Sequence, residues 1–399
     1  MTRQAEAFAR LITEEVGKPI QDARREAARA AFTFRWAAQE ALRLGGEVMP
    51  LDLEPGGEGR WALTRRFARG PALLISPFNF PLNLAAHKIA PAIAVGAPYV
   101  HKPASVARRT AQLLGRLVLE AGWPQDAMAV VDIPGAEAEA LVRDDRFGVL
   151  SFTGSAAVGW RLKALAGRKQ VLLELGGNAG VFVAEDADLD LAAARCVQGA
   201  FAYAGQVCIS VQRVFAAAPI YEAFRAKLLE KTAALRLGEP SDEATDVGPL
   251  ISEADARRVE SWLGEAAAAG GRILCGGKRD GRFLAPAWVE GAPASCKVNC
   301  EEIFGPAATL TRVAGADEAL RLMADSRYGL QAGIFTRDIG SVLRFWERLS
   351  VGGIIVNDAP TYRCDAMPYG GTKDSGIGRE GLRYAMEEFT ELRTLVLRA

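Results

Sequence analysis

The chain has 399 residues, half of them hydrophobic and 24% charged, with 48 basic and 48 acidic side chains. That length exceeds one ordinary core and points to two domains or three units. A formal net charge of zero gives no electrostatic case for nucleic acid or an anionic membrane as partner.

Residues 4–45 carry apolar positions at helical spacing, with Phe8, Leu11 and Ile12 on one stripe and Ala30, Phe34 and Ala37 on another. Two helices are expected, parted at Gly17-Lys18-Pro19. Gly45-Gly46, Pro50 and Pro55-Gly56-Gly57 then break the chain, and the stretch 46–68 reads as a hairpin projecting from the body. From Pro71 strand and helix alternate. Strands are expected at 72–76, 98–102, 127–132, 146–152 and 171–174, with helices at 83–94, 106–121 and 156–165. Such alternation predicts a parallel sheet covered on both faces, with sites beyond the C-terminal ends of its strands. A second cycle follows Gly176-Gly177. Its strands are expected at 180–183, 212–217, 272–275, 287–290, 333–336 and 353–357, and its helices at 189–201, 220–235, 252–269, 317–324 and 339–349. A boundary falls near 176, a return to the first body near 373, and a last strand at 392–397.

The N-terminus Met1-Thr2-Arg3-Gln4 has no apolar signal core, and no run reaches the ~18 apolar residues that span a bilayer. Six scattered cysteines without a CxxC pair point to a reducing compartment, taken as the cytoplasm. Cys296 and Cys300 stand four apart, but the chain has only His87 and His101, and no metal site is expected.

Two residues invite chemistry. Glu174 closes the aliphatic run Val171-Leu172-Leu173, just before Gly176-Gly177-Asn178. Burial there would raise its pKa and make it a general base near neutral pH, unless a backbone N–H of the glycine turn ties it down. Cys208 follows the turn Gly205-Gln206 and precedes an ordered segment, a setting that the other five cysteines lack. A free cysteine is most often a small buried hydrophobe. This one is placed to be a nucleophile whose own N–H steadies a developing oxyanion. Asn79, between Phe78 and Phe80-Pro81, is an amide donor for that oxyanion or an Asx-type turn cap. Phe152-Thr153-Gly154-Ser155 follows a strand and opens a helix, which suits a pyrophosphate, although it is neither GxGxxG nor a P-loop. Lys102, at a strand end, reaches a ribose hydroxyl or lies on the surface.

These stretches stand in one order. Ser76-Pro77-Phe78-Asn79-Phe80-Pro81, Val100-His101-Lys102-Pro103-Ala104 and Phe152-Thr153-Gly154-Ser155 come first. Leu173-Glu174-Leu175-Gly176-Gly177-Asn178 and Gly205-Gln206-Val207-Cys208 follow. Glu301-Glu302-Ile303-Phe304-Gly305-Pro306 and Tyr369-Gly370-Gly371-Thr372-Lys373-Asp374-Ser375-Gly376 complete the set. Together they resemble the aldehyde dehydrogenase superfamily over essentially the whole chain.

The resemblance implies an α/β fold of two Rossmann-related parallel-sheet domains plus an oligomerisation β-hairpin. The cofactor-binding domain would comprise 1–45, 69–176 and 373–391, the catalytic domain 177–372, and the oligomerisation strands 46–68 and 392–399. It further implies oxidation of an aldehyde to its acid with NAD or NADP, through a thiohemiacetal and a thioester on Cys208. Asn79 and the Cys208 N–H would hold the oxyanion, and Glu174 would activate the hydrolytic water. Lys102 would meet the adenosine ribose, Gly154 and Ser155 the pyrophosphate, and Glu302 with Phe304 the nicotinamide ribose and its surroundings. Ser105 stands where NAD-selective relatives often carry glutamate, so NADP is acceptable.

The loop 361–367 corresponds to the substrate mouth, with Arg363 and Tyr369 as its candidate residues. A surface position is the weightier reading for Arg363, and contact with an acidic substrate group the lesser one. The pattern resembles relatives acting on lactaldehyde, succinic semialdehyde and other small polar aldehydes. A homodimer or homotetramer is expected, with the terminal strands pairing across subunits. The start resembles a shortened N-terminus, because relatives begin several dozen residues earlier. A CoA-acylating relative, in which a thiol takes the acyl group, commonly lacks the base that Glu174 supplies; the other alternative is an inactive structural homologue.

Overall fold

The computed structural model describes residues 1–398. Helices α1 (Ala5–Val16) and α2 (Ile20–Ala41) open the chain. Gly17 ends α1 in the left-handed conformation (φ 68°), and Pro19 starts α2, as the Gly-Lys-Pro break predicts. Next come β1 (Val48–Pro50), β2 (Arg60–Ala68), β3 (Ala72–Ile75), α3 (Asn83–Ala94) and β4 (Tyr99–Lys102). α4 (Arg108–Glu120), β5 (Met128–Val130), α5 (Gly135–Arg143), β6 (Val149–Thr153), α6 (Ala156–Leu165) and β7 (Gln170–Glu174) follow. The second cycle contains β8 (Ala179–Val183), α7 (Leu189–Phe201), β9 (Val211–Ala217), α8 (Tyr221–Ala233), α9 (Glu253–Ala268), β10 (Arg272–Cys275), β11 (Ala287–Glu290) and β12 (Ala307–Val313). It continues through α10 (Ala316–Ala324), β13 (Gln331–Phe335), α11 (Ile339–Arg348) and β14 (Gly353–Val356). β15 (Gly376–Ile377), α12 (Leu382–Phe389) and β16 (Thr390–Arg398) close the chain.

The first sheet runs β15-β7-β6-β3-β4-β5, parallel except for the short return strand β15. Its strand order reverses between β3 and β6, and such a reversal opens a crevice beyond the C-terminal strand ends. Phe8, Ile12, Leu74, Ile89, Tyr99 and Val149 are buried together and tie α1, α3 and the sheet into one core. The second sheet runs β10-β11-β12-β9-β8-β13-β14, with only β10 antiparallel. Val181, Phe201, Val214, Trp288 and Leu310 fill one of its faces. The hairpin β1-β2 forms as expected, and β2 pairs with β16 along its full length in a separate three-stranded sheet.

Three differences from expectation matter. β12, central to the second sheet, was not anticipated, because Ala-Ala-Thr-Leu-Thr-Arg-Val has little apolar contrast although it is mostly buried. α5 was also not anticipated. And the strands of the second sheet present their N-terminal ends to the site: Asn178, Cys208, Glu302 with Phe304, and Leu330 lie just ahead of β8, β9, β12 and β13. The rule of C-terminal ends holds for the first sheet alone. The two sheets meet exit edge to entry edge.

Candidate active site

Glu174 is the last residue of β7 and pairs across β15 with Gly376. The chain then threads a narrow passage. A Cβ on Gly176 would lie 2.2 Å from Glu302 Oε2, and one on Gly177 would lie 2.3 Å from the Cys208 carbonyl oxygen. Two glycines are therefore what close passage beneath these residues requires. Ser375 Oγ donates to Gly176 O at 2.7 Å and accepts from Gly329 N at 2.9 Å, which fastens the passage to the segment just ahead of β13. The Gly177 N–H donates to Glu302 at 3.0 Å, so the glycine turn does not tie down Glu174. Glu174 is buried, and its Oε2 has no hydrogen-bond partner among the described residues. Burial first, and repulsion from Glu380 second, hold its carboxyl well above the ordinary carboxylate range.

Cys208 is delivered by a backbone that only tertiary structure can hold. After α7, Tyr203 and Ala204 take positive φ angles of 48° and 52°, and Gly205 takes 69°. Gln206 locks the turn, accepting from Ile251 N at 2.8 Å and donating to Tyr203 O at 3.3 Å. Cys208 then stands in an apolar collar with Val207, Ile209, Leu330 and Tyr369. Its Sγ lies 3.1 Å from the Tyr369 hydroxyl. Burial pushes the thiol up to about 12 against the opposing Tyr369 hydrogen bond, so at neutral pH it rests protonated and needs a base. Asn79 follows β3 and crosses to this turn. Its Nδ2 donates to Gln206 O at 3.1 Å, while its Oδ1 accepts from Phe80 N at 3.2 Å. The oxyanion and turn-cap readings are thus compatible, because an amide nitrogen has two N–H donors and the turn uses one.

Arg363 is not on the surface, contrary to the weightier expectation. Its side chain is only 7% exposed, bonds Glu380 at 3.0 Å and lies 3.7 Å above the Tyr369 ring. Glu380 in turn takes Lys88 at 3.1 Å. Burial pushes Glu380 up, but the Lys88 and Arg363 charges outweigh it and bring the carboxyl to about 2. The mouth loop is anchored one step further on: Asp365 accepts from Arg29 at 2.6 Å, His87 at 2.8 Å and Asn83 at 3.1 Å. Neither Lys88 nor Glu380 was singled out in the sequence. The available signal was Lys88 itself, a lone cation within the apolar run of α3.

The crevice residues gather at the exits of the first sheet. Lys102 ends β4 buried, with no acidic group within 4 Å among the described residues. Burial lowers its pKa and Asp132 opposes the shift. Ser105 is exposed and opens a short 3₁₀ turn beyond it. Ser155 is the N-cap of α6 and makes no side-chain cap bond, Gly154 precedes it, and the buried Thr153 hydroxyl has no partner among the described residues. Uncapped helix amides and an orphaned hydroxyl fit a pyrophosphate. Glu302, which burial raises to about 7 against the Gly177 N–H, lies beside the glycine passage. Phe304, at φ 46°, sets its ring edge-on to Phe78 at 6.0 Å and so joins the two edges of the cleft. These positions fit a nicotinamide dinucleotide.

The model of the aldehyde dehydrogenase family matches residues 1–395. The chain belongs to the aldehyde dehydrogenase family. It is 46% identical over 398 residues to a 3-sulfolactaldehyde dehydrogenase of Priestia megaterium, covering all of this chain and 83% of that protein. The structure of aldehyde dehydrogenase 21 from Physcomitrella patens in complex with the reaction product succinate superposes with a TM-score of 0.97 at 42% identity, over 100% of this chain and 83% of that one. Glyceraldehyde-3-phosphate dehydrogenase GapN from Methanocaldococcus jannaschii, complexed with NADP, gives 0.95 at 38%, over 100% and 87%. The protein is an NAD(P)-dependent aldehyde dehydrogenase that oxidises an aldehyde to the corresponding acid.

Proposed function

We propose that Cys208 is the nucleophile and Glu174 the base of this dehydrogenase, acting on a small polar aldehyde. Glu174 takes the proton of the Cys208 thiol, the sulfur adds to the carbonyl carbon, and the new oxyanion lies against the Asn79 amide and the Cys208 N–H. A bound nicotinamide would supply the hydride acceptor that oxidation of this adduct to a Cys208 thioester requires. Glu174 releases the thiol proton to solvent and then takes one from water, the hydroxide adds to the thioester carbonyl, and the acid leaves as the Cys208 thiolate takes the proton back from Glu174. Lys102 and Ser155 hold the ribose and pyrophosphate, and Glu302 orients the nicotinamide ribose. Ser105 places no carboxylate against a 2′-phosphate, which supports use of NADP as well as NAD.

One observation carries this reading: a buried carboxylate with an unpartnered oxygen shares a cleft with a protonated thiol that needs a base. The test is reduction of NAD and NADP with a panel of small aldehydes, with and without CoA, by wild type, Cys208→Ala and Glu174→Gln. Activity that survives Cys208→Ala overturns the nucleophile, and wild-type turnover by Glu174→Gln overturns the base.

The first sheet with its helices serves as the cofactor-binding domain and the second as the catalytic domain. β16 leaves one edge open and exposes Leu392, Leu395 and Val396, which supports pairing between subunits in a homodimer or a dimer of dimers. All six cysteines are free, which supports the cytoplasm as the working compartment. Among the described residues no helix is long and apolar enough to cross a membrane.

A further inference from the structure

We infer that the Tyr369 hydroxyl selects aldehydes bearing an oxygen on the carbon next to the carbonyl, so that 2-hydroxyaldehydes are the preferred substrate class. This rests on Cys208 as the nucleophile. Beside its sulfur Val207, Ile209 and Leu330 are apolar and Tyr369 supplies a hydroxyl hydrogen-bonded to it, while the charges of Glu302, Arg363 and Glu174 also act on the thiol. A phenol is a costly group to bury unless it is hydrogen-bonded. Tyr369 is 3% exposed, and its only hydrogen-bond partner among the described residues is the Cys208 sulfur, a weak acceptor. Phenylalanine would fill the same space without that cost. The hydroxyl is thus held ready for a partner that arrives on the sulfur.

Its position is rigid. Arg363 covers the ring at 3.7 Å, and Arg363 is itself held by Glu380, which Lys88 holds from the other side. At 3.1 Å from Sγ, the hydroxyl stands within hydrogen-bond reach of a substituent two bonds beyond a carbonyl carbon attached to that sulfur. A plain aldehyde presents only hydrogen there and leaves the phenol facing the weak sulfur. A 2-hydroxyaldehyde presents an oxygen that both accepts and donates. A buried site built to bond a substrate hydroxyl rejects the analogue that lacks it. Two of the similar proteins are named for substrates of this class, 3-sulfolactaldehyde and glyceraldehyde 3-phosphate.

The test compares kcat/KM for lactaldehyde, propanal and 3-hydroxypropanal in wild type and Tyr369→Phe, with NADP saturating. Wild type should prefer lactaldehyde over both others, and the substitution should lower that preference about tenfold while changing the ratio of propanal to 3-hydroxypropanal little. Competitive inhibition by lactate and by propionate gives a second readout that does not depend on turnover, and the preference for lactate should fall in parallel. A Tyr369→Phe enzyme that loses activity equally on all three aldehydes, with the lactate preference intact, overturns the inference but leaves the nucleophile standing. NADP reduction that persists in Cys208→Ala overturns the underlying reading, and this inference with it.

Discussion

Glu174 and Glu380 are two buried carboxyls that repel each other, and the protein favours charge on only one of them. Lys88 and Arg363 flank Glu380 and keep it ionised, while Glu174 has an unpartnered oxygen and keeps its proton above the ordinary range. The proposed base is therefore tuned by the charges around its neighbour.

That relationship sets a pH dependence. Glu174 accepts a proton only in its ionised form, so turnover should rise with pH through its raised pKa. Glu380→Gln removes the repulsion and leaves two cations nearby. The rising limb of kcat should then move about one unit toward acid. A limb that stays in place or moves toward alkali contradicts the coupling. The stability sign is opposite to that of a salt-bridged carboxylate. A group whose folded pKa is raised stabilises the fold below that pKa, and this contribution is lost as pH rises through it.

A second buried pair supports the site from behind. Lys18 and Glu26 form a fully buried ion pair, and Glu26 also accepts from Leu82 N at 2.9 Å and Asn83 N at 3.1 Å. The Lys18 ammonium lies 3.7 Å from the Phe80 ring and 4.7 Å from the Tyr203 ring, next to the Asn79 turn and the Cys208 turn respectively. Lys18→Met strands the Glu26 charge and should cost roughly 3–5 kcal/mol of stability in urea unfolding. Adding Glu26→Gln keeps an acceptor for the two amides and should recover part of that loss. A single substitution with no effect on the unfolding midpoint contradicts this account of the pair.

Close passage yields a third expectation. A methyl group at Gly177 meets the Cys208 carbonyl oxygen at 2.3 Å, so Gly177→Ala must displace the Cys208 loop. Displacement of about 1 Å in such a site lowers rate on the order of 100-fold, and kcat should fall by that much; because the clash is with backbone, the unfolding midpoint should fall as well. Wild-type kcat in this variant would show that the passage tolerates the extra carbon.

What the sequence shows and what it hides follow from physical range. α3, α6 and α7 were legible to the residue, because glycines, prolines and strand ends punctuate them locally. Glu174 and Cys208 stood out as candidates because an acid ending an aliphatic run and a cysteine after a Gly-Gln turn are local anomalies. Arg363 was not. Its burial depends on Glu380, seventeen positions on, and on a ring above which it stacks, and neither contact is written in the polar loop that carries it. β12 was hidden for a different reason: a strand of alanines and threonines buried on both faces shows no alternation. Lys18 looked like a helix break and proved to be a buried cation, a role set by rings that are distant in sequence.

The open edge of β16 gives a prediction about assembly. Leu395 is 55% exposed on that strand, and replacing it with glutamate puts a charge where a second copy would pack. Sedimentation should show wild type as a dimer or tetramer and Leu395→Glu shifted toward monomer. An unchanged assembly would place the interface elsewhere.

The division of labour between Cys208 and Glu174 is tested most directly by trapping. Glu174→Gln is mixed with NADP and a 2-hydroxyaldehyde, NADPH is followed by stopped flow, and the protein is digested for mass spectrometry. Because Glu174 serves both proton transfers, the expected result is slow formation of about one NADPH per subunit, still slower turnover afterwards, and an acyl adduct on the peptide that holds Cys208. Steady wild-type turnover, or an adduct on any other residue, would contradict it.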